Sequence, residues 1–385
     1  MKTKRFKLKD FAQDISVSIK DAQLSELDRF VGLEHYDSGE PVITRYTDTK
    51  LITSSVKEFH KNDILIARRN VYLKRAGIAF FSGLTSGDSI VLRIYDDCEH
   101  RTGVPKDDAV KIIPFVLNSN AFWAYANKHA DGMNSKRISK EMLYDYEFEL
   151  LPLLEQRILA NKLWSAYRLK ESYKRLLTAS QELVKSRFIE MFGDPMDNSK
   201  GWPEYDTIGK FTQIILGSTP NSKVSSYWDG DIKWITPAEM KEESYYIYDT
   251  DRHITKEGAE SANLTLMPCR TVLFSTRAPI GKVGLVGSPM YCNQGFKNFL
   301  CGEKLNPVFL YYSLIYKHDY LVSLGTGTTF KELSKKVVES LKIAIPPIAL
   351  QNEFETLYKQ SDKSVFEIKK SIEAIDAVIK SLING

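Results

Sequence analysis

Shifted by 195 positions, residues 132–186 fall on residues 327–381 of the same chain without a gap. Gly132 meets Gly327, and Ile138-Ser139-Lys140 meets Leu333-Ser334-Lys335. Pro152 meets Pro347 and Gln156 meets Gln351. Further on, Lys174, Ala179, Lys185 and Ser186 meet Lys369, Ala374, Lys380 and Ser381. A run of matches held in one register marks a duplicated unit, and a fold for this chain has to contain that unit twice.

The repeated segment has a physical period. In its second copy Phe354, Tyr358, Ser361, Val365, Ile368, Ile372, Ile375, Ile379 and Leu382 alternate by four and three, a heptad seam. The same register in the first copy gives Leu159, Leu163, Ala166, Lys170, Tyr173, Leu177, Ser180, Val184 and Arg187. Both stretches begin just after a proline, Pro152 and Pro347, a residue tolerated in a first helical turn. Each predicts a helix of roughly 35 residues and about 50 Å. Ordinary core helices are much shorter, and two matched seams pair most simply with each other.

The remaining sequence divides around these helices. The expected plan is a first mixed globule over 1–150, a long helix over 151–191, a second globule over 192–345 and a second long helix over 346–385. Phe192-Gly193-Asp194-Pro195 breaks the first helix. The fold class is therefore α+β: two similar globules separated by two long antiparallel helices forming a coiled coil, with a pseudo-two-fold internal repeat. A weaker echo links Leu8-Lys9-Asp10-Phe11 with Ile208-Gly209-Lys210-Phe211, and Asp63–Ala67 and Arg270–Ser275 read as short strands.

A length of 385 residues agrees with two domains plus connectors. No run approaches the ~20 apolar residues of a bilayer span, so no membrane partner is expected. Lys2, Lys4 and Arg5 make the start basic, but no apolar signal core follows, and export is not expected. Cys98, Cys269, Cys292 and Cys301 are scattered, as reduced thiols of a cytoplasmic protein would be. The net charge of +4 permits nucleic-acid binding only if Lys and Arg gather on one face.

Two groups of residues have the chemistry for that. Arg68, Arg69, Asn70, Tyr72, Lys74 and Arg75 follow a predicted strand in the first globule, and Lys136 and Arg137 precede Ile138-Ser139-Lys140. In the second globule Gly217-Ser218-Thr219-Pro220 leads to Trp234-Ile235-Thr236-Pro237-Ala238. Arg277-Ala278-Pro279-Ile280-Gly281 and Asn293-Gln294-Gly295-Phe296-Lys297 follow, then Gly325 to Lys331. Arg pairs bidentately with guanine, and Asn and Gln with adenine. Lys, Ser and Thr hold phosphates. The candidates are Ser218, Thr219, Thr236, Arg277, Lys282, Asn293, Gln294, Lys297 and Lys331. A basic run such as Arg68–Arg75 also suits a merely solvated face, and Asn293 and Gln294 also suit a turn. Gly281, Pro279, Gly295 and Phe296 read as fold-making, and Trp228 and Trp234 as core.

These strings, with the tandem repeat and Ile345-Pro346-Pro347 running to Gln351, resemble the DNA specificity subunits of type I restriction-modification systems. In the first half the resemblance rests on the repeat, on Val31-Gly32-Leu33-Glu34-His35 and on Ser86-Gly87-Asp88-Ser89; the Arg-Ala-Pro-Ile-Gly and Asn-Gln-Gly-Phe strings are absent there. The resemblance implies two target-recognition domains, each reading half of a split site in double-stranded DNA, and spacer helices that set the gap. It implies modification (methyltransferase) and restriction (translocase and nuclease) subunits as partners. It implies no cofactor in this chain, with S-adenosylmethionine, ATP and magnesium on those partners, and no catalytic residue or metal here. Two rivals remain: a metal-dependent nuclease using Asp231, Glu239 and Lys241, and a DNA-binding protein acting alone. No phosphate-binding loop and no amino-methyltransferase signature is present, Asn306-Pro307-Val308-Phe309 lacking the second proline.

Overall fold

The computed structural model of the chain describes residues 3–15, 17–19, 22, 25–52, 54–133, 135–240, 245–326 and 331–384. The chain forms two compact units. One holds Met1–Arg175 with Lys369–Gly385, the other Leu176–Ile368. Gly327, Thr328, Thr329 and Phe330 lie outside the described residues, as does Lys241 of the nuclease alternative.

The two long helices run over Leu153–Phe192, 40 residues, and Ile348–Asn384, 37 residues. They are somewhat longer than periodicity alone indicates, because the first continues unbroken to Gly193. That glycine takes a left-handed φ of +83°, the usual way to end a helix. Each unit contains a stretch of both helices. In the first unit Leu159, Leu163 and Ala166 share a core with Ile375, Ile379 and Leu382. In the second, Val184, Phe188 and Phe192 share one with Phe354 and Tyr358. Within each unit, residues late in one helix pack with residues early in the other, so the stretches are antiparallel. Along the first helix Tyr173, Leu177 and Ser180 are half-buried; along the second, Ile368 is buried and Ser361, Val365 and Ile372 are half-buried. Arg187 is exposed, and the buried position belongs to Phe188, four residues beyond Val184. Phe188 stacks on Phe309 and Tyr316 and meets Phe354 edge-on, so an aromatic cluster overrides the expected register at that end.

Each unit is built on a five-stranded sheet of the same topology. In the first unit the order is Ala12–Asp14, Ser89–Ile94, Ile64–Ala67, Ala76–Ala79, Val42–Ile43. In the second it is Thr212–Leu216, Lys297–Cys301, Val272–Phe274, Val283–Val286, Tyr246–Ile247. Neighbours are antiparallel except the last pair, which is parallel in both. The middle strands are apolar on both faces because both faces are covered. Ile64, Ile66, Ile78 and Leu92 pack with Ile112, Ile113 and Phe115 of the helix Lys106–Val116. Leu65, Ala67, Ala79 and Val91 pack with Val31 and Phe59 of a second sheet. In the second unit Val272, Phe274 and Phe299 face the helix Pro307–Tyr316, and Leu273 and Val286 face Ile235 and Met290.

The repeat is also visible in main-chain detail. Strands Glu147–Leu150 and Lys342–Ile345 hold equivalent positions, paired with Lys4–Lys7 and Glu204–Thr207. The amide of Leu8 bonds the carbonyl of Tyr146 at 3.0 Å, and that of Ile208 bonds Leu341 at 2.8 Å. Ser139 and Ser334 each cap a short helix by accepting from the amide three residues on. Gln156 and Gln351 each donate to the carbonyl five residues earlier, Leu151 and Pro346, at 2.7 Å. Among the described residues, the copies part company in their second sheets, five-stranded in the first unit and three-stranded in the second.

Candidate nucleic-acid interface

The predicted strand after Asp63 is the central strand Ile64–Ala67, and the one after Arg270 is Val272–Phe274. They are equivalent members of the two sheets, so the loops that leave them are equivalent as well. The loop Arg68–Arg75 and the loop Ser275–Lys282 each join the central strand to its antiparallel neighbour. Their main-chain anchors match. Arg68 donates its amide to Asp88, and Thr276 donates to Gly295, at 3.0 and 2.8 Å. Ile138 donates to the carbonyl of Arg68 at 3.0 Å, and Leu333 to that of Thr276 at 2.9 Å. Arg69 bridges to Arg137, and Arg277 to Glu332. Asp131 pairs with Arg137, and Thr326 with Glu332, through the same reciprocal pair of main-chain bonds. The basic run of the first half is thus the counterpart of the Arg-Ala-Pro-Ile-Gly loop of the second.

In the first unit these anchors gather residues far apart in sequence. The amide of Asn70, a residue in the left-handed region, bonds the carbonyl of Lys136 at 2.7 Å. Ser135 Oγ accepts from Arg69 Nε at 2.8 Å and donates to Asn70 Oδ1 at 3.2 Å. Tyr72, Lys74 and Lys136 are exposed, and Lys74 is also left-handed. Arg68 is half-buried. Arg75 is half-buried too: its guanidinium donates to the carbonyls of Leu33 and Arg69, and burial draws its pKa below the usual value. Arg75 therefore holds the loop's shape, while Arg69, Tyr72, Lys74 and Lys136 face outward.

In the second unit the predicted strings converge. Gly217 lies so close to the loop after Cys292 that a Cβ there would sit 1.9 Å from the carbonyl oxygen of Asn293, so only glycine fits. Next to it the amide of Ser218 bonds Cys292, and the hydroxyl of Thr219 donates to Gln294. Asn293 Oδ1 accepts from the amide of Gly295 at 2.9 Å, a turn-building bond. Thr236 donates through both its amide and its hydroxyl to Glu239 at 2.9 Å. Lys282 donates to the carbonyls of Pro237 and Met240. Lys297 is buried, bonding Thr276 Oγ1 and Glu332 Oε1 at 3.0 Å each. Lys282 and Lys297 are thus engaged within the fold. Thr219, Arg277, Gln294 and Lys331 are exposed. Trp234 is buried and Trp228 half-buried, with the Arg252 guanidinium 4.0 Å above the Trp228 ring.

Glu332 is the residue the motif reading passed over, although the offset of 195 superposes it on Arg137, the neighbour of Lys136. Glu332 bonds Arg277 Nε at 2.9 Å and Lys297 at 3.0 Å. Burial works to raise its pKa, but the bonds from Lys297 and Arg277 prevail and hold it below the usual carboxylate range. Arg137 and Arg69 lie 3.5 and 3.8 Å from the carboxylate of Asp88. For the nuclease alternative, Glu239 is a structural acceptor: Oε1 takes Thr236, and Oε2 takes the amide of Asp251 at 2.7 Å.

The family model described as type I restriction modification DNA specificity domain matches residues 200–375. The specificity subunit of type I restriction enzyme MjaIX, from Methanocaldococcus jannaschii, is 32% identical over 189 residues, 48% of this chain and 44% of its own. A second M. jannaschii chain, named for the specificity subunit of type I restriction enzyme MjaX, is 25% identical over 296 residues, 71% of this chain and 67% of its own. The solved S subunit of a type I restriction-modification system from M. genitalium superposes with a TM-score of 0.59 at 13% identity, over 99% of this chain and 95% of its own; at that identity the likeness is one of fold. Residues 200–375 thus match the type I DNA specificity domain, and the chain is similar to the specificity subunits of type I restriction enzymes. Its match spans under half the length of the first of these relatives.

Proposed function

We propose that this chain is the sequence-specific DNA-recognition subunit of a type I restriction-modification complex, with no catalytic role of its own. Each unit reads one half of a bipartite site in double-stranded DNA. The observation that carries the reading is the pair of equivalent loops, Arg68–Arg75 and Ser275–Lys282, on equivalent sheets with matching main-chain anchors. A reader needs exposed donors on a fixed frame, and these loops supply Arg69, Tyr72 and Lys74 in one unit and Arg277 in the other, with Thr219, Gln294 and Lys331 nearby in sequence or by bonding.

The paired helices set the spacing between half-sites and dock the modification subunits. Apolar residues on the outer side of the first helix support docking: Leu154, Ile158, Leu169, Leu176 and Leu183 are all exposed. Restriction subunits complete the complex in the cytoplasm, and S-adenosylmethionine, ATP and magnesium act on the partner subunits. No helix among the described residues is long and apolar enough to cross a membrane. The decisive experiment is methylome sequencing of cells with and without the chain. The reading expects a two-part methylated motif that disappears with the chain; an unchanged methylome, with the modification subunits expressed, would count against it.

A further inference from the structure

Arg69 and Arg277 stand at the same place in the two units. Each follows the residue that accepts the amide of Ile138 or Leu333, and each forms a bridge to the residue before that amide. Their side chains are also alike in being tethered through Nε. Arg69 is tethered through Nε to Ser135 Oγ at 2.8 Å, and Arg277 through Nε to Glu332 Oε2 at 2.9 Å. The side chains are 45% and 47% exposed. Among the described residues the terminal nitrogens of neither guanidinium form a hydrogen bond, although Arg69 Nη1 lies 3.8 Å from the Asp88 carboxylate, a loose ion pair shared with Arg137.

A guanidinium held by Nε points its two terminal N–H groups along a fixed direction. That is the geometry with which arginine meets the O6 and N7 of guanine. A phosphate can also take the fork, but lysine still meets a phosphate as a point charge, whereas the paired contact to a guanine edge is lost with the fork, so replacement by lysine separates the two roles. Pre-orientation lowers the ordering cost of a directional contact. The tethers are unlike in chemistry. A bare carboxylate beside Arg277 would oppose the approach of DNA, but Glu332 also takes the buried ammonium of Lys297, so its charge is matched from within the fold.

We infer that Arg69 and Arg277 are the equivalent guanine-reading arginines of the two units, and that Glu332, backed by Lys297, is the positioning residue for Arg277. This rests on the proposed role in DNA recognition and adds the residue and the base.

The test selects binding sites from a randomised duplex pool with the full chain, assembled with its modification subunits. Arg277→Lys keeps the charge and removes the fork. It should lower the preference for guanine at one position of one half-site by roughly 10-fold or more and leave the other half unchanged. Arg69→Lys should do the same in the other half. Glu332→Gln should weaken the same position as Arg277→Lys while binding to unrelated DNA holds, a pattern that simple loss of stability would not give. If that variant unfolds, the double replacement Lys297→Met with Glu332→Gln removes both charges together and gives the same readout. Unaltered base preferences in both lysine variants would overturn the inference, as would a uniform loss of affinity with no position singled out. Failure of the unaltered protein to select any two-part motif would instead overturn the proposed function itself.

Discussion

Lys170 of the first long helix and Asp376 of the second meet at 2.5 Å, and Glu40 from a loop of the first unit lies 2.5 Å from the same ammonium. Lys170 occupies a seam position and is only 6% exposed. The corresponding residue of the second copy is Val365. A lone buried cation in an apolar seam costs stability in every pairing but the one that supplies its carboxylates, so it selects a register.

Lys170→Met should therefore destabilise the chain, leaving Asp376 and Glu40 without the cation they share, while Glu40 keeps Lys174 at 3.3 Å. We expect about 2 kcal/mol, below the 3–5 typical of a fully buried pair, because Asp376 is one-third exposed. Urea denaturation at neutral pH measures it. Combining the change with Glu40→Gln and Asp376→Asn should recover much of the loss. A single variant as stable as its parent would show that the ion cluster does not hold the seam.

A second ion pair gives a pH signature. Arg270 donates to both oxygens of Glu355 at 2.6 and 2.9 Å, and Asn306 donates to Oε2 at 2.6 Å. The Arg270 bonds, outweighing burial, bring the Glu355 pKa down to about 2 from an ordinary 4.5. A carboxyl depressed in the folded state stabilises fully above its unfolded value and loses that contribution as pH falls through its folded one. The second unit should lose about 2 kcal/mol between pH 4.5 and 2 from this group, a figure reduced for the water around the half-exposed Arg270. Glu355→Gln should be less stable at pH 7 yet change less across that window. Parallel acid limbs for both proteins in thermal unfolding would contradict the assignment.

Independent reading by the two units makes a domain exchange informative. Replacing residues 202–345 by the matching segment of another specificity subunit should change one half of the methylated motif and preserve the other. Altered bases in both halves, with the complex still assembled, would show that the units do not read separately.

If the helices measure the gap, their length should be legible in the DNA. Four residues inserted near Thr178 and four near Val365 add about 6 Å, close to two base-pair steps and near a full helical turn. The half-sites should persist with a longer gap, while insertions of two residues should abolish binding by turning the following unit. An active four-residue variant with an unchanged gap would leave the helices a docking role alone.

The long helices and their pairing were legible because a heptad pattern needs no tertiary knowledge: Phe354, Tyr358, Ile368, Ile375 and Ile379 declare one face by spacing. The five-stranded sheets were not, because the offset between copies drifts. It is 200 at Leu8 and Ile208, 208 at Arg68 and Thr276, and 195 again at Ile138 and Leu333. Insertions in the variable second sheets erase any fixed register there. The counterpart of Arg277 was hidden for a further reason. What Arg69 and Arg277 share is a set of backbone bonds, while their neighbours Asn70 and Ala278 have nothing in common as side chains. Lys297 was misleading in the opposite sense: a lysine beside a glycine-rich turn suggests an anion, yet this one is matched internally by Glu332.

The anchors of the two loops join amide to carbonyl, at Ile138 and Arg68 in one unit and at Leu333 and Thr276 in the other. Amide and carbonyl groups are present whatever side chain they carry. Outward-facing positions such as Tyr72 and Lys74 can therefore be replaced without loosening the loop that bears them. A lineage under pressure to recognise new DNA could change those letters one at a time, each intermediate still folded, and natural variants should diverge at the loop tips well before they diverge at the strands beneath.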